Sequence, residues 1–266
     1  IFGGNGADHF FGGSGGWMSL NGGNGNDYIN VGSYISERQN IIGGAGIDLA
    51  DFSNLDVGYQ FSLGEIGFLH FPNYYRMSLY SIENLIGTRG NDLVVAAINS
   101  EEIRGGLGND TIWGDLSDHI PVFGGEGNDE LLGSRDCFLY GGAGRDRIMA
   151  DGIFAIAGST ASLFGGAGRD TLVGGVGDDF MTGGAGVDVF QFYGAAGHDT
   201  ILDFLANHQA DKIDLTGVLE ILNFNDLLTE HLSDGEAGVV ISFGESSIVL
   251  LGVHSDDLTA ANFILG

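Results

Sequence analysis

Large apolar residues recur singly along most of this chain, each at the centre of a three-residue segment flanked by glycine-rich polar segments. These centres are Phe10, Ile29, Ile112, Leu131, Ile148, Leu172, Met181 and Phe190. Because side chains alternate across a strand, such a triplet can bury one large side chain on one face. The pattern therefore predicts many short strands that pack through one face and are separated by sharp turns.

The polar segment before each triplet follows the form Gly-Gly-any-Gly-any-Asp, so that loop and triplet together make a nonapeptide. Nearly intact copies begin at Gly3, Gly22, Gly43, Gly105, Gly124, Gly141, Gly165, Gly174 and Gly183. They end at Asp8, Asp27, Asp48, Asp110, Asp129, Asp146, Asp170, Asp179 and Asp188. A looser copy, GTRGND, ends at Asp92, and GAAGHD contributes Asp199. The repeat predicts an all-β fold, a parallel β-roll or β-solenoid of glycine-rich nonapeptides with a β-rich cap at its C-terminal end.

The chemistry of this loop points to calcium. Adjacent glycines let the backbone turn sharply, which brings carbonyl oxygens together with the carboxylate of the aspartate. Calcium takes several hard oxygen ligands in a tolerant geometry. One loop cannot fill that coordination shell, so a stacked second loop must supply further oxygens. We expect the roll to be marginal or unfolded without calcium, because one large apolar side chain per nonapeptide is a thin core.

The spacing of the loops predicts where the ions lie. Loops from Gly87 to Gly183 follow one another by 18, 19, 17, 24 and 18 residues, and the first three loops by 19 and 21. These distances approximate two nonapeptides, which predicts that all of them share one edge of the roll. The half-turns between them have mostly lost the pattern, as where Trp17 replaces aspartate. Counting neighbouring loops predicts a calcium ladder of seven ions there and one more at Asp179 and Asp199, about eight Ca²⁺ in total.

Four segments follow from this organisation: a first repeat block at 1–51, an aromatic-rich interruption continuing the roll at 52–86, a second block at 87–191 and a cap at 192–266. The interruption carries Phe52, Tyr59, Phe61, Phe68, Phe71, Tyr74, Tyr75 and Tyr80. These rings either fill the interior of wider strands or form a platform for sugar rings. In the cap we expect a helix at Phe224 to His231 and a hairpin formed by Gly238 to Phe243 and Ser246 to Val253.

Composition narrows the range of partners. The chain of 266 residues has 36 acidic and 9 basic residues, for a formal net charge of −27. Such a surface repels nucleic acid and anionic lipid and leaves cations as natural partners. The sequence has no apolar run long enough to span a bilayer, and the single Cys137 can form no internal disulfide. We expect a monomer, and we expect a chain that starts inside a repeat to be the C-terminal piece of a longer protein.

Catalytic motifs are absent from the sequence. None of its seven histidines belongs to an HExxH motif, and no GxSxG elbow is present. Asp115, Asp118 and His119 fit a half-turn that has lost the nonapeptide pattern better than they fit an acid–base catalytic site. We therefore expect this chain not to be an enzyme.

The repeats resemble the repeats-in-toxin (RTX) family of secreted, hemolysin-type calcium-binding proteins. The segment from DLADFSNL (Asp48 to Leu55) to SIENLIGTRGND (Ser81 to Asp92) resembles an interruption common between RTX blocks. Residues 190–266 are similar to the C-terminal part of serralysin-type metalloproteases and related RTX exoproteins. The resemblance implies export by a type I secretion apparatus through an uncleaved signal near Asp256 to Leu265, and folding in external calcium beside an upstream passenger. The alternatives are a glycan-binding module, a surface-layer or adhesive module, or the C-terminal part of a serralysin-like protease or other exoenzyme.

Overall fold

The computed structural model describes residues 1–12, 19–32, 40–64, 75–97, 99–114, 119–133, 136–150, 159–206 and 211–266. These residues form two compact units, Ile1–Leu131 and Leu132–Gly266. The expectations for Trp17, Phe68, Phe71, Tyr74, Asp115 and Asp118 fall outside the described residues.

The first unit is a roll of two parallel sheets. We name each sheet after its first strand. The β1 sheet contains, in spatial order, β1 (Phe2–Asn5), β3 (Ser19–Asn24), β5 (Asn40–Ala45), β8 (Tyr75–Tyr80), β7 (Tyr59–Leu63), β10 (Leu93–Val95) and β12 (Thr111–Trp113). Its β2 sheet contains β2 (His9–Phe11), β4 (Tyr28–Asn30), β6 (Leu49–Asp51), β9 (Asn84–Ile86), β11 (Glu102–Leu107) and β13 (Pro121–Glu126). The boundary between the units falls within β14 (Glu130–Leu132).

The second unit has the same construction. Its β15 sheet contains β15 (Phe138–Gly144), β17 (Ser162–Gly168), β19 (Phe180–Gly186), β21 (His198–Ile201), β25 (Ser246–Leu251), β24 (Gly238–Phe243) and β23 (Leu232–Asp234). Its β16 sheet contains β16 (Arg147–Met149), β18 (Thr171–Val173), β20 (Val189–Tyr193), β22 (Lys212–Gly217) and β26 (Phe263–Ile264). The predicted parallel β-roll of glycine-rich repeats is confirmed.

The apolar centres of the triplets form the core as their pattern predicts, except for Phe10 in the first coil, which is only partly buried. Ile29, Ile112, Ile148, Met181 and Phe190 are each 0% exposed. Strands on successive coils pair in register, so that Leu163 of β17 stands beside Met181 of β19 and Gly166 beside Gly184. Each coil therefore extends the buried row of the coil before it, with one buried side chain in a strand such as β16 and two in β20, where Phe190 and Phe192 are both buried.

The interruption changes the winding of the first unit. Strands β7 and β8 both belong to the β1 sheet, and β8, which comes later in the chain, lies between β5 and β7. Phe52 and Phe61 are fully buried with ring centroids 4.7 Å apart, whereas Tyr75 and Tyr80 are 50% and 37% exposed. Phe52, Phe61 and the buried Tyr59 thus fill the interior, which favours the packing role of the aromatic residues over a sugar platform at these positions.

The cap is built mostly as expected. Strands β24 and β25 form the antiparallel hairpin, and β25 pairs in parallel with β21. The predicted helix is short, because α1 (Phe224–Asp226) passes into a π-helical turn at Leu227–His231. Two 3₁₀ turns, Ser255–Asp257 and Ala260–Asn262, lead to β26, which pairs with β22. Within the described residues, no helix has the length and apolar character needed to cross a bilayer.

Candidate metal centre

The aspartates of successive loops form ladders in which each residue contacts the equivalent residue one coil further on. In the first unit the backbone N–H of Asp8 donates to Oδ1 of Asp27, and that of Asp27 donates to Oδ1 of Asp48, each at 2.8 Å. The N–H of Asp92 donates to Oδ1 of Asp110 in the same way, at 2.8 Å. The N–H of Asp110 donates to Asp129 Oδ1 at 2.8 Å.

The second unit repeats the arrangement on both of its edges. Asp146 N–H donates to Asp170 Oδ1, and Asp170 N–H donates to Asp188 Oδ1, both at 2.8 Å. On the opposite edge, Asp179 N–H donates to Asp199 Oδ1 at 3.0 Å. The expected pairing of the Asp179 and Asp199 loops is therefore present in the structure.

The second carboxylate oxygen has no donor at most of these residues, whereas Asp92 Oδ2 accepts from Thr88 N–H at 2.6 Å. Oδ2 is buried and accepts no hydrogen bond within the described part of the chain at Asp8, Asp27, Asp48, Asp110, Asp170 and Asp188. A buried carboxylate oxygen without a donor is costly, so native structures normally provide a partner or an ion. A row of such oxygens at equivalent positions indicates that a cation completes each site.

The first glycine of each loop shows where that cation fits. A Cβ atom added to Gly105 would lie 2.3 Å from Asp110 Oδ2 and 2.6 Å from the carbonyl oxygen of Gly124 on the next coil. The same two kinds of oxygen converge at the following loops, each followed by its partner: Gly3 with Gly22, Gly22 with Gly43, Gly141 with Gly165, and Gly165 with Gly183. Glycine is required here because any side chain would fill the space between the two oxygens.

Carboxylate and carbonyl oxygens are the ligands that calcium prefers. The residues therefore fit Ca²⁺, which the loop aspartate and the facing glycine carbonyl would hold between two coils. Among the described residues, no group of three or more His, Cys, Asp or Glu side chains could hold a metal by itself. An ion at these loops must thus take much of its coordination from the backbone, for which the stacked glycine turns are suited.

The structure corrects the prediction that the main loops share one edge. In the first unit, loops that run from the β1 sheet to the β2 sheet form what we name the outbound edge, and loops that run back form the return edge. Asp8, Asp27 and Asp48 lie on the outbound edge, whereas Asp92 and the other second-block loops of this unit lie on the return edge. The ladder changes edges because the interruption adds β7, β8 and β9, after which the glycine loops resume half a turn out of phase.

Two carboxylates in the ladders escaped prediction. Glu83 Oε2 accepts from Asp48 N–H at 2.9 Å, the position that an aspartate holds elsewhere. Asp211 Oδ1 accepts from Asp188 N–H at 3.0 Å, and its Oδ2 accepts from Leu205 N–H at 2.8 Å. Neither residue follows a glycine pair. The available signal was distance along the chain, since Asp211 follows Asp188 by 23 residues, close to one turn.

Burial shapes the acidity of the ladder. It raises the pKa of Asp110 from 3.8 to about 8 and that of Asp92 to about 7, chiefly by removing the carboxylates from water. For the same reason the pKa of Asp129 and that of Asp170 rise to about 6. Without a metal, Asp110 therefore favours its neutral form at neutral pH. Keeping the other buried carboxylates charged costs free energy, which bound cations would offset.

Acidification in chelator is expected to restore part of the β structure that the metal-free chain lacks at neutral pH. A carboxyl group whose pKa is raised on folding stabilises the fold at low pH, and this stabilisation is lost as pH rises through its folded-state pKa, here from about 6 to about 8. Circular dichroism in excess chelator at about pH 5 and about pH 8 measures the effect. A chelated chain with more β structure at the higher pH contradicts it.

Comparison with known proteins agrees with this chemistry. The family described as RTX calcium-binding nonapeptide repeat (4 copies) matches residues 1–16, 19–33, 81–112, 97–118, 122–136, 138–152 and 161–190. Among curated proteins there is no match. Among solved structures, the extracellular lipase LipA from Serratia marcescens aligns over 100% of this chain at 19% identity, with a TM-score of 0.25. The chain spans 40% of that lipase.

Proposed function

Because the chain belongs to the family of proteins with the RTX calcium-binding nonapeptide repeat, we propose that it is a calcium-dependent folding module of a secreted protein. The repeats bind calcium, and the proposed role is that this binding switches the chain from an open to a folded state outside the cell. The observation that carries the proposal is the row of buried Oδ2 oxygens, of which those of Asp8, Asp27, Asp110 and Asp170 face a glycine carbonyl of the next coil.

Charge supports a switch of this kind. A formal net charge of −27 opposes compaction until cations bind. Extracellular calcium modules have dissociation constants of about 0.1 to 1 mM, far above the calcium concentration of resting cytosol. The sites would be empty inside the producing cell and filled outside it, so the chain would stay open for export and fold afterwards.

The module would serve a passenger located upstream in a longer chain. Its own role is structural, as a monomer, with any catalysis residing in the passenger. Export would use a type I secretion apparatus that recognises the segment from Asp256 to Leu265. In the folded chain this segment includes β26, so recognition would have to precede folding, which agrees with calcium being the trigger.

Replacing a ladder aspartate is expected to weaken calcium binding at its coil. In Asp110→Asn the amide keeps an oxygen that can accept from Asp92 N–H but loses the charge at the Gly105 site. We expect the affinity of the affected ion to fall at least about tenfold. Equilibrium dialysis or calorimetry of the whole chain measures the change.

The matched control is Asp256→Asn, which removes the same charge at an exposed position of the cap and should leave binding unchanged. Equal losses of calcium affinity in the two variants would mean that the change in net charge alone explains the effect. A wild-type chain that binds no calcium at millimolar concentrations would overturn the proposal itself.

A further inference from the structure

The last loop of the first block, Gly43 to Asp48, does not face another glycine loop. The next coil on the outbound edge is the turn between β8 and β9, residues 81–83, which lacks the nonapeptide pattern. Because the sequence-based count assigns one ion to each pair of neighbouring glycine loops, it predicts no ion between Asp48 and this turn. The contacts around this turn nevertheless reproduce those of the regular sites.

Ser81 supplies the carbonyl oxygen. A Cβ atom added to Gly43 would lie 1.9 Å from Ser81 O and 2.3 Å from Asp48 Oδ2. At the preceding loop, the corresponding distances from a Cβ on Gly22 are 2.5 Å to Gly43 O and 2.0 Å to Asp27 Oδ2. Ser81 has a φ of 49°, a left-handed conformation that is uncommon for a residue other than glycine. The turn thus places a carbonyl oxygen where the repeat would place that of a glycine.

Glu83 supplies the second carboxylate. Its Oε2 accepts from Asp48 N–H at 2.9 Å, just as Asp48 Oδ1 accepts from Asp27 N–H at 2.8 Å. Glutamate has one more methylene than aspartate, and the turn from 81 to 83 is correspondingly shorter than a glycine loop. No cationic side chain within the described residues forms an ion pair with either Asp48 or Glu83.

Asp48 itself points to a ligand. The residue is 0% exposed, and its buried Oδ2 accepts no hydrogen bond from any residue that the structure describes. This oxygen lies beside Ser81 O in the space over Gly43. A pocket of about 370 Å³, lined in part by Gly44, Ser81 and Glu83, adjoins this space. It provides a route for an ion and room for the water molecules that calcium commonly keeps.

We propose that Asp48, Ser81 and Glu83 form a further calcium site, which joins the first repeat block to the interruption. The site rests on the proposed function, since it combines Asp48 of the repeat with Ser81 and Glu83, which do not belong to a repeat. The ion would lie between Asp48 Oδ2 and the Ser81 carbonyl, with the charge of Glu83 beside it. It extends the outbound ladder by one coil beyond the last glycine loop.

Glu83→Gln tests the site in the whole chain. Glutamine keeps an oxygen that can accept from Asp48 N–H and removes only the charge, so we expect one fewer calcium ion per chain at saturation. The control is Glu236→Gln, at an exposed residue between β23 and β24, which should bind as many ions as the wild type. Ion counts come from equilibrium dialysis with Ca²⁺ as the only added metal, and circular dichroism reports whether each variant folds.

The possible results distinguish this site from the proposed function of the chain as a calcium-dependent folding module. An unchanged count in Glu83→Gln overturns the site and leaves the proposed function intact, whereas a wild-type chain without any bound calcium overturns both. If Glu83→Gln does not fold, crystals of the unmodified chain grown with calcium decide the matter. A peak about 2.3 to 2.6 Å from Asp48 Oδ2 and Ser81 O supports the site. Peaks at Gly105 and Asp110 with none at Ser81 exclude it.

Discussion

Transfer from millimolar calcium to excess chelator is expected to abolish most of the β structure of this chain. Many of the short strands, such as β12 and β16, contribute a single buried side chain. Each coil also brings buried carboxylates such as Asp110 and Asp170 into contact with the next coil. Calcium at ten times its dissociation constant adds about 1.4 kcal/mol per ion, so several ions together match the stability of an ordinary domain. Far-ultraviolet circular dichroism during calcium addition should show a cooperative gain of β structure.

The specificity of the metal provides the control. Magnesium carries the same charge but demands near-ideal octahedral geometry and gives up water reluctantly. At equal concentration it should restore little structure, which separates coordination at the loops from simple screening of the net charge. A chain that is already β-rich in chelator and does not respond to calcium would show that the strands hold together by themselves.

A methyl group in the space between the aspartate Oδ2 and the facing glycine carbonyl, where the cation would lie, is expected to destabilise the roll strongly. In Gly165→Ala the new Cβ would lie 2.5 Å from Gly183 O and 2.7 Å from Asp170 Oδ2. It would displace both oxygens and block the ion between them. We expect a loss of about 2 to 4 kcal/mol in the free energy of unfolding in calcium, combining overpacking with one lost ion. Denaturant titration at fixed calcium measures it.

Gly194→Ala is the matched control in the same unit. The nearest atom to a Cβ at Gly194 is Gly217 O, at 3.8 Å, and its φ lies outside the left-handed region. We expect this variant to stay within about 0.5 kcal/mol of the wild type, as exposed substitutions usually do. Equal losses at Gly165 and Gly194 would mean that chain stiffness, and not the cation space, explains the effect. Calcium affinity should fall in Gly165→Ala alone.

The repeat alone was sufficient to predict the local chemistry. Glycine pairs and the following aspartate fix a loop of nearly constant shape, and the apolar centre of each triplet fixes which side chain is buried. The parallel roll, the burial of residues such as Ile112 and the pairing of Asp179 with Asp199 all follow from these local rules. They hold because neighbouring coils are nearly identical, so each coil forms the environment of the next.

The edge of the roll on which the second-block loops lie could not be predicted in the same way. Spacing gives the length of a turn, but the edge on which the loops resume depends on the strand order within residues 52–86. That order consists of pairings between strands far apart in the sequence, such as β5 with β8 and β7 with β10. Glu83 was missed for a related reason: it occupies a ladder position through the path of β8 and β9, without the glycines that mark the other loops.

The out-of-order position of β8 bears on how the first unit can assemble. In an ordinary solenoid, each new rung lands on the rung made just before it, and growth can run from one end to the other. Here β7 has no finished neighbour on its β5 side until later residues return and insert between them. Coil-by-coil growth must therefore stop at β7 until β8 has paired with both β5 and β7 and completed the sheet.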